Sequence, residues 1–360
     1  NKINNQDYDL IDINYNADKQ LTNQALYNGT NMTIEYDNSA RPTQKTYSKL
    51  FNQQSSYDNN NNVIQDSISF TNNNIKNYQY DNQDRLTKDT HYNQYFNYDK
   101  LGNIISTNQN TNISSSISTN TNAETRIANL DNEYTQITLT NSNSDNNITI
   151  NHDDNANLSN YQDKTYTYDL LGRLTSVSQT GTLIAKYHYD AQNRRVQKVL
   201  ADSSGNIDNS NATTTTYLYN QNQVLAEYNT NNSESTDISN VEPTVEFIYS
   251  DKTDDPIALI QNNQTYYHLK DRLGSVIGLI NEQQQLIESY QYNAFGKLTI
   301  KDQMGNIINK SNYNNPYTYT ARRHDNESGL YYYRNRYYDP SLARFISKDP
   351  KGFVDGYNLY

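Results

Sequence analysis

The chain has 360 residues, 35 of them tyrosine, a net charge of −11 and no cysteine. Without cysteine there is no disulfide framework, no thiolate nucleophile and no cysteine-based metal centre. The acidic balance argues against a general nucleic-acid surface, which needs cations to neutralise phosphates, and no apolar run approaches the ~18 residues that cross a bilayer as a helix.

Aliphatic side chains are few, yet the net charge is modest for the length. Tyrosine supplies large, half-apolar groups that disordered chains lack, so a folded protein whose burial runs through tyrosine is expected. The abundant asparagine reads as filler of turns and solvent faces rather than as a prion-like tract. No basic-then-apolar leader opens the sequence, and a start at Asn1 rather than methionine reads as a piece of a longer polypeptide.

In chain order, a repeated unit comes first. Tyr-Asp or Tyr-Asn pairs begin at Tyr15, Tyr36 and Tyr57, then at Tyr78-Gln79-Tyr80-Asp81 with Arg85-Leu86-Thr87, and at Tyr98-Asp99-Lys100-Leu101-Gly102-Asn103-Ile104. Over 104–165 the pattern decays into Ser, Thr and Asn, with hints at Leu130-Asp131 and His152-Asp153. This stretch reads as degenerate repeats with long polar loops. The best copy follows, Tyr166-Thr167-Tyr168-Asp169-Leu170-Leu171-Gly172-Arg173-Leu174-Thr175, then Tyr187-His188-Tyr189-Asp190 with Arg194-Arg195-Val196, and weaker copies at Tyr219 and Tyr292. Ala201 to Thr216 and Asn229 to Asn240 read as exposed insertions at hairpin tips.

Within the regular stretches the tyrosines recur at steps of 18 to 23 residues, the length of a β-hairpin with its turns. Tyr-x-Tyr puts two rings on one face of a strand. Asp at the first turn position can accept from backbone N–H groups, and Gly at the fourth tolerates the left-handed exit. Units that cannot bury a face alone must stack, and tyrosine on that face suits the wall of a hollow sheet. The fold class is therefore all-β, with repeat hairpins joined in a large curved or spiralling antiparallel sheet.

Two later blocks narrow the reading. Tyr266-Tyr267-His268-Leu269-Lys270-Asp271-Arg272-Leu273-Gly274-Ser275-Val276 runs on to Tyr290-Gln291-Tyr292-Asn293-Ala294-Phe295-Gly296. Gly329-Leu330-Tyr331-Tyr332-Tyr333-Arg334-Asn335-Arg336-Tyr337-Tyr338-Asp339-Pro340 is followed by Arg344-Phe345-Ile346-Ser347-Lys348-Asp349-Pro350. With the repeats, these blocks resemble the Rhs (YD-repeat) family of bacterial polymorphic toxins, toxin-complex cocoons and teneurins. The resemblance implies a YD-repeat β-shell segment over 1–240, degenerate at 104–165, and an Rhs-associated core over 241–360.

It further implies that the shell encloses a covalently linked C-terminal toxin or effector, and that the intact parent, secreted or at the bacterial surface, releases this cargo by self-cleavage. A secretion apparatus or a toxin-complex component is the other implied partner. The cleavage resembles aspartic-protease chemistry, with an arginine and an aspartate at the positions of Arg336 and Asp349 and a second aspartate past residue 360. The 1–360 chain alone is not expected to cut. Two carboxylates sharing a water must differ in protonation, and a nearby arginine keeps one of them ionised. The competing reading of Arg336, Asp339, Arg344 and Asp349 is a set of salt bridges and turns that seal the last strands, with Asp339 before Pro340 as a turn residue. Ala343 stands where the family often has glycine.

His91, His152, His188, His268 and His324 lack metal-ligand spacing and read as structural, so no metal and no cofactor is expected. Leu273-Gly274-Ser275-Val276-Ile277-Gly278 lacks phosphate-loop spacing and reads as a turn into a buried strand. The alternative function is a cell-surface or wall-associated scaffold for adhesion.

Overall fold

The structure, a computed structural model, describes residues 2–3, 6–7, 11–70, 73–110, 121–141, 144–208, 210–230, 238, 241–354 and 358–360. Strands dominate, and the one helical element described is the 3₁₀ turn Tyr319–Ala321. The expected all-β, antiparallel, repeat-built fold is the one found. Two compact units interleave along the chain: residues 1–91, 247–293 and 298–322 form one, and 92–246, 294–297 and 323–360 the other.

Each repeat is a hairpin built on an aspartate turn. In the copy after Tyr36, Asp37 Oδ1 accepts the N–H groups of Ser39 (2.9 Å) and Arg41 (3.0 Å). Asp37 O accepts from Ala40 N at 3.0 Å, and Asp37 N donates to Arg41 O at 3.0 Å. This is a type I turn closed by a left-handed residue, so the strand re-enters with a bulge and the pairing shifts between Glu35 and Tyr36. The left-handed position is Gly102 and Gly172 in two copies, but Ala40, Asn61, Asp84 and Asn193 in others. Where arginine stands four residues after the aspartate, its guanidinium closes on the second carboxylate oxygen, at 2.7 Å for Arg41 and Arg85 and 2.6 Å for Arg173.

The tyrosine that names the repeat reaches back to the previous one. Tyr36 Oη donates to Leu21 O (2.9 Å), Tyr57 to Pro42 O (2.7 Å), Tyr80 to Val63 O (2.8 Å), Tyr189 to Leu174 O (2.7 Å) and Tyr219 to Arg195 O (2.9 Å). Each acceptor is the residue that leaves the preceding turn. The arginine of that preceding turn then covers the tyrosine ring: Arg41 lies 4.8 Å over Tyr57, Arg173 5.0 Å over Tyr189 and Arg194 5.0 Å over Tyr219. Tyr57 and Tyr189 are thus each locked by a hydrogen bond and a cation–π contact to their neighbour.

In the second unit, the other tyrosine of Tyr-x-Tyr points into the core. Tyr166 and Tyr187 pack with Leu158, Leu174, Val177 and Ala185, and the same cluster takes Leu330, Tyr332, Tyr337, Leu342 and Ile346 from the C-terminal strands Leu330–Tyr332 and Tyr337–Asp339 and the residues after them. In the first unit, Tyr47 and Phe51 pack at 6.1 Å between ring centroids, Phe51 packs on Phe70 at 5.2 Å, and Lys270 N donates to Tyr47 Oη.

Three expectations need correction. The stretch over 104–165 is not dominated by long polar loops among the described residues. Tyr134–Asn141 and Ser144–His152 are long paired strands, because Ile137 and Leu139 on one and Ile148 and Ile150 on the other alternate inward while Thr140, Asn147 and Thr149 are exposed. The turn there is headed by Asn129 rather than by Asp131. Within Ala201 to Thr216, the turn at Asp202 is exposed, but Ala212 and Thr214 are fully buried and Thr213–Asn220 is a strand. Most of Asn229 to Asn240 lies outside the described residues. Third, burial is not carried by tyrosine everywhere: Pro256–Gln261 and Val276–Ile280 are covered on both faces and use Ile, Leu and Val. Gly274, in the turn before Val276, has φ +82°.

At Gly172 (φ +73°) the nearest atom to an added Cβ would be Asn157 Oδ1 at 3.7 Å, so substitution meets open space and only the backbone objects. We expect Gly172→Ala to lower stability by about 1 kcal/mol, and Ala40→Gly, at φ +65°, to leave it unchanged or raise it. Tyr57→Phe, which removes only the hydroxyl, should lose ~1 kcal/mol. Denaturant midpoints at constant m-value check all three.

Candidate functional site

Arg336 leaves a tight turn between the strands Leu330–Tyr332 and Tyr337–Asp339. Tyr333 N donates to Arg336 O at 2.8 Å, and Arg334 takes φ +65°. Its guanidinium lies 3.7 Å over the Phe345 ring.

Asp349 heads a turn of the same kind as the repeats. Its Oδ1 accepts from Lys351 N at 2.8 Å, its carbonyl accepts from Gly352 N at 3.0 Å, and Gly352 has φ +68°. The turn's closing end differs, since Asp349 N does not donate to the carbonyl four residues on. Four residues on, where many repeats carry arginine, stands the exposed Phe353, so the second carboxylate oxygen is left for a partner from elsewhere. That partner is Arg336, with Nη2 3.0 Å from Asp349 Oδ2. Both also engage one carbonyl: Leu359 O accepts from Asp349 N at 2.9 Å and from Arg336 Nη1 at 3.2 Å.

The two residues singled out from the sequence, 13 positions apart, therefore meet. Half-burial pulls the Arg336 pKa below its ordinary value, partly offset by Asp349. Chemically, Asp349 is a carboxylate held in a fixed orientation by Arg336 and Lys351 N–H, a group able to accept a proton or polarise a water. An acid–base exchange would need a second carboxylate. Among the described residues, Asp349's side chain engages Arg336 and Lys351 N–H and no other carboxylate. Asp339 Oδ1 accepts from Ser341 N (2.8 Å) and Ser341 Oγ (2.5 Å), a turn role, and Ala343 has φ +57°, a conformation that suits glycine.

Sequence reasoning missed a larger charged cluster in the same unit. Arg195 is 1% exposed and pairs with Asp325, Nη2 to Oδ1 at 3.0 Å. Its guanidinium lies 4.5 Å from the Tyr332 ring and 5.2 Å from Tyr187. Lys198 Nζ bridges Asp325 (3.3 Å) and Glu327 (3.2 Å), and Arg323 pairs with Glu227. Burial would raise the Asp325 carboxyl, but Arg195 and Lys198 outweigh it and hold it well below the usual range. The available signal was the doublet Arg194-Arg195. Arg194 closes its own turn on Asp190, and by strand alternation Arg195 must face the other way, into the core.

The histidines are not brought together into a metal site among the described residues. His268 is buried between Pro256 O (3.3 Å) and Asn315 Oδ1 (3.0 Å), and burial, reinforced by Lys270, lowers its pKa to about 4.

The family model described as the teneurin YD-shell matches residues 64–357. The chain belongs to the YD-shell family. Among relatives of this YD-shell, the tRNA nuclease WapA of Bacillus subtilis (strain 168) is 28% identical over 285 residues, covering 78% of the chain and 11% of WapA. The crystal structure of TcdB2-TccC3-Cdc42 superposes with a TM-score of 0.63 at 18% identity, covering 97% of the chain and 20% of that one. The Photorhabdus luminescens Tc holotoxin pore superposes with a TM-score of 0.60 at 17% identity, covering 97% and 20%. At such identities the two structures establish the fold. The YD-shell chain spans about a tenth of the length of the curated relatives it matches and a fifth of those structures.

Removing one partner of a buried pair leaves an uncompensated charge, so Asp325→Asn should destabilise by about 3–5 kcal/mol. Because the folded carboxyl sits below its unfolded value of 3.8, its contribution is complete above that pH and is lost as pH falls through the folded value. The stability gap between wild type and Asp325→Asn, from urea unfolding, should be constant from pH 5 to pH 8 and shrink only in stronger acid.

Proposed function

We propose that the chain is the C-terminal part of the encapsulating shell of a secreted bacterial toxin. The shell houses a toxin or effector carried further along the same polypeptide and releases it by self-cleavage. Residues 1–240 form the repeat segment of the shell and 241–360 its Rhs-associated core. The observation that carries this reading is the family match over residues 64–357. It is supported by the relation to a tRNA nuclease of far greater length and by the shared fold with Tc toxin structures. The secretion apparatus or toxin-complex component that would deliver such a shell is a further partner of the same proposal.

In this reading Asp349 is one carboxylate of the self-cleavage site. Arg336 pairs with it and fixes its orientation, and the second carboxylate comes from residues after 360. The Arg336–Asp349 pair and its shared hold on Leu359 O support a site in which the departing chain is fixed beside the catalytic carboxylate. In the parent protein extended beyond residue 360, Asp349→Asn should abolish the cut, leaving one full-length band where wild type gives two. Arg336→Lys should slow it by about tenfold or more, since a point charge replaces the planar fork. Normal processing of Asp349→Asn would remove that carboxylate from the mechanism.

A further inference from the structure

The second unit holds several buried arginines, and all but one are paired with a carboxylate. Arg126 has Glu124, Arg195 has Asp325, and Arg323 has Glu227. Arg344 is 8% exposed and among the described residues makes no ion pair. Its Nη2 reaches the neutral side chains of Asn103 (3.1 Å) and Asn358 (3.5 Å). Nε and Nη1 are buried with no hydrogen-bond partner. Asp99 acts on it through space, but that carboxylate is occupied by Asn103 Nδ2 at 2.7 Å.

A buried guanidinium left in this state is costly unless an acceptor completes it. The surroundings restrict what that acceptor is. The Tyr134 ring lies 4.0 Å from Arg344 Cζ and the Tyr360 ring 4.7 Å, so aromatic rings crowd the guanidinium and an acceptor must enter edge-on. An edge-on approach suits a flat anion better than a tetrahedral one. Tyr360 is held by its hydroxyl to Ala156 O at 2.8 Å and Glu133 Oε1 at 3.3 Å, contacts it can exchange for water.

We propose that Arg344 is a carboxylate-binding residue, and that a carboxylate accepts from the unpartnered Nε–H, with Nη2 beside it on the same edge, when Tyr360 swings aside. The acceptor is either a free small carboxylate or an aspartate or glutamate side chain on a polypeptide. Burial lowers the Arg344 pKa, which fits a cation still short of its counter-charge. The assignment does not depend on the toxin reading, because it concerns residues 1–360 alone and needs no cleavage.

The test is the thermal midpoint of the 1–360 chain at pH 7 in rising sodium acetate, with sodium chloride holding ionic strength constant. Wild type should show a saturable rise. In Arg344→Gln the apparent affinity should fall by at least about tenfold. N-acetyl-aspartate N-methylamide, titrated in parallel, separates the sources: tighter binding than acetate assigns the site to a polypeptide side chain, and equal or weaker binding to a small acid. Should Arg344→Gln fail to fold, the arginine Nε–H resonance of wild type replaces it, and acetate should shift that resonance along the same saturation curve. No rise beyond that given by chloride, an equal rise in Arg344→Gln, an unmoved Nε–H resonance, or a response to phosphate where acetate gives none would overturn the assignment.

Discussion

The hydrogen bond from a repeat's tyrosine to the carbonyl that leaves the previous turn, made by Tyr36, Tyr57, Tyr80, Tyr189 and Tyr219, is the contact on which the repeat architecture rests. A hairpin alone is marginal in water. Here the tyrosine's length matches the gap to the neighbouring bulge, so Tyr57 on Pro42 O and Tyr189 on Leu174 O set the register between adjacent hairpins as well as adding energy. The aspartate turn creates that bulge, and the arginine closing the turn covers the incoming ring. Tyr, Asp and Arg thus form one device that serves two adjacent hairpins.

The turn at Asp349 shares the opening of the repeat turns and departs from them at its close, where Asp349 N donates to Leu359 O. Asp349 sits in a repeat-type turn whose closing arginine is absent. Its second oxygen is available, and Arg336 takes it from a different hairpin. Phe353 stands four residues on, where arginine or asparagine closes the repeat turns.

Inside the second unit, charge does work that aliphatic packing does elsewhere. Arg195, Lys198 and Arg323 reach Asp325, Glu327 and Glu227, and tyrosine rings surround the guanidinium of Arg195. Tyrosine makes this feasible because its ring face accepts a cation and its hydroxyl accepts or donates a hydrogen bond. In the first unit, by contrast, Pro256–Gln261 and Val276–Ile280 are covered on both sides by aliphatic residues, and the one buried histidine there, His268, stays neutral.

The sequence by itself determined the all-β class, the hairpin length and the aspartate turns, because period-two alternation and turn chemistry are local. It also pointed to Arg336 and Asp349, through the C-terminal blocks. It did not reveal that Asn129 heads a turn, nor that Thr213 to Thr216 open a strand with Thr214 and Thr215 buried, since Asn and Thr are ordinary loop residues until a neighbouring strand covers them. Only the tertiary structure decided that Arg195 meets Asp325 across 130 residues, and that Arg344 meets no carboxylate among the described residues. Such pairings depend on which faces of distant hairpins turn toward one another, and no local pattern encodes that.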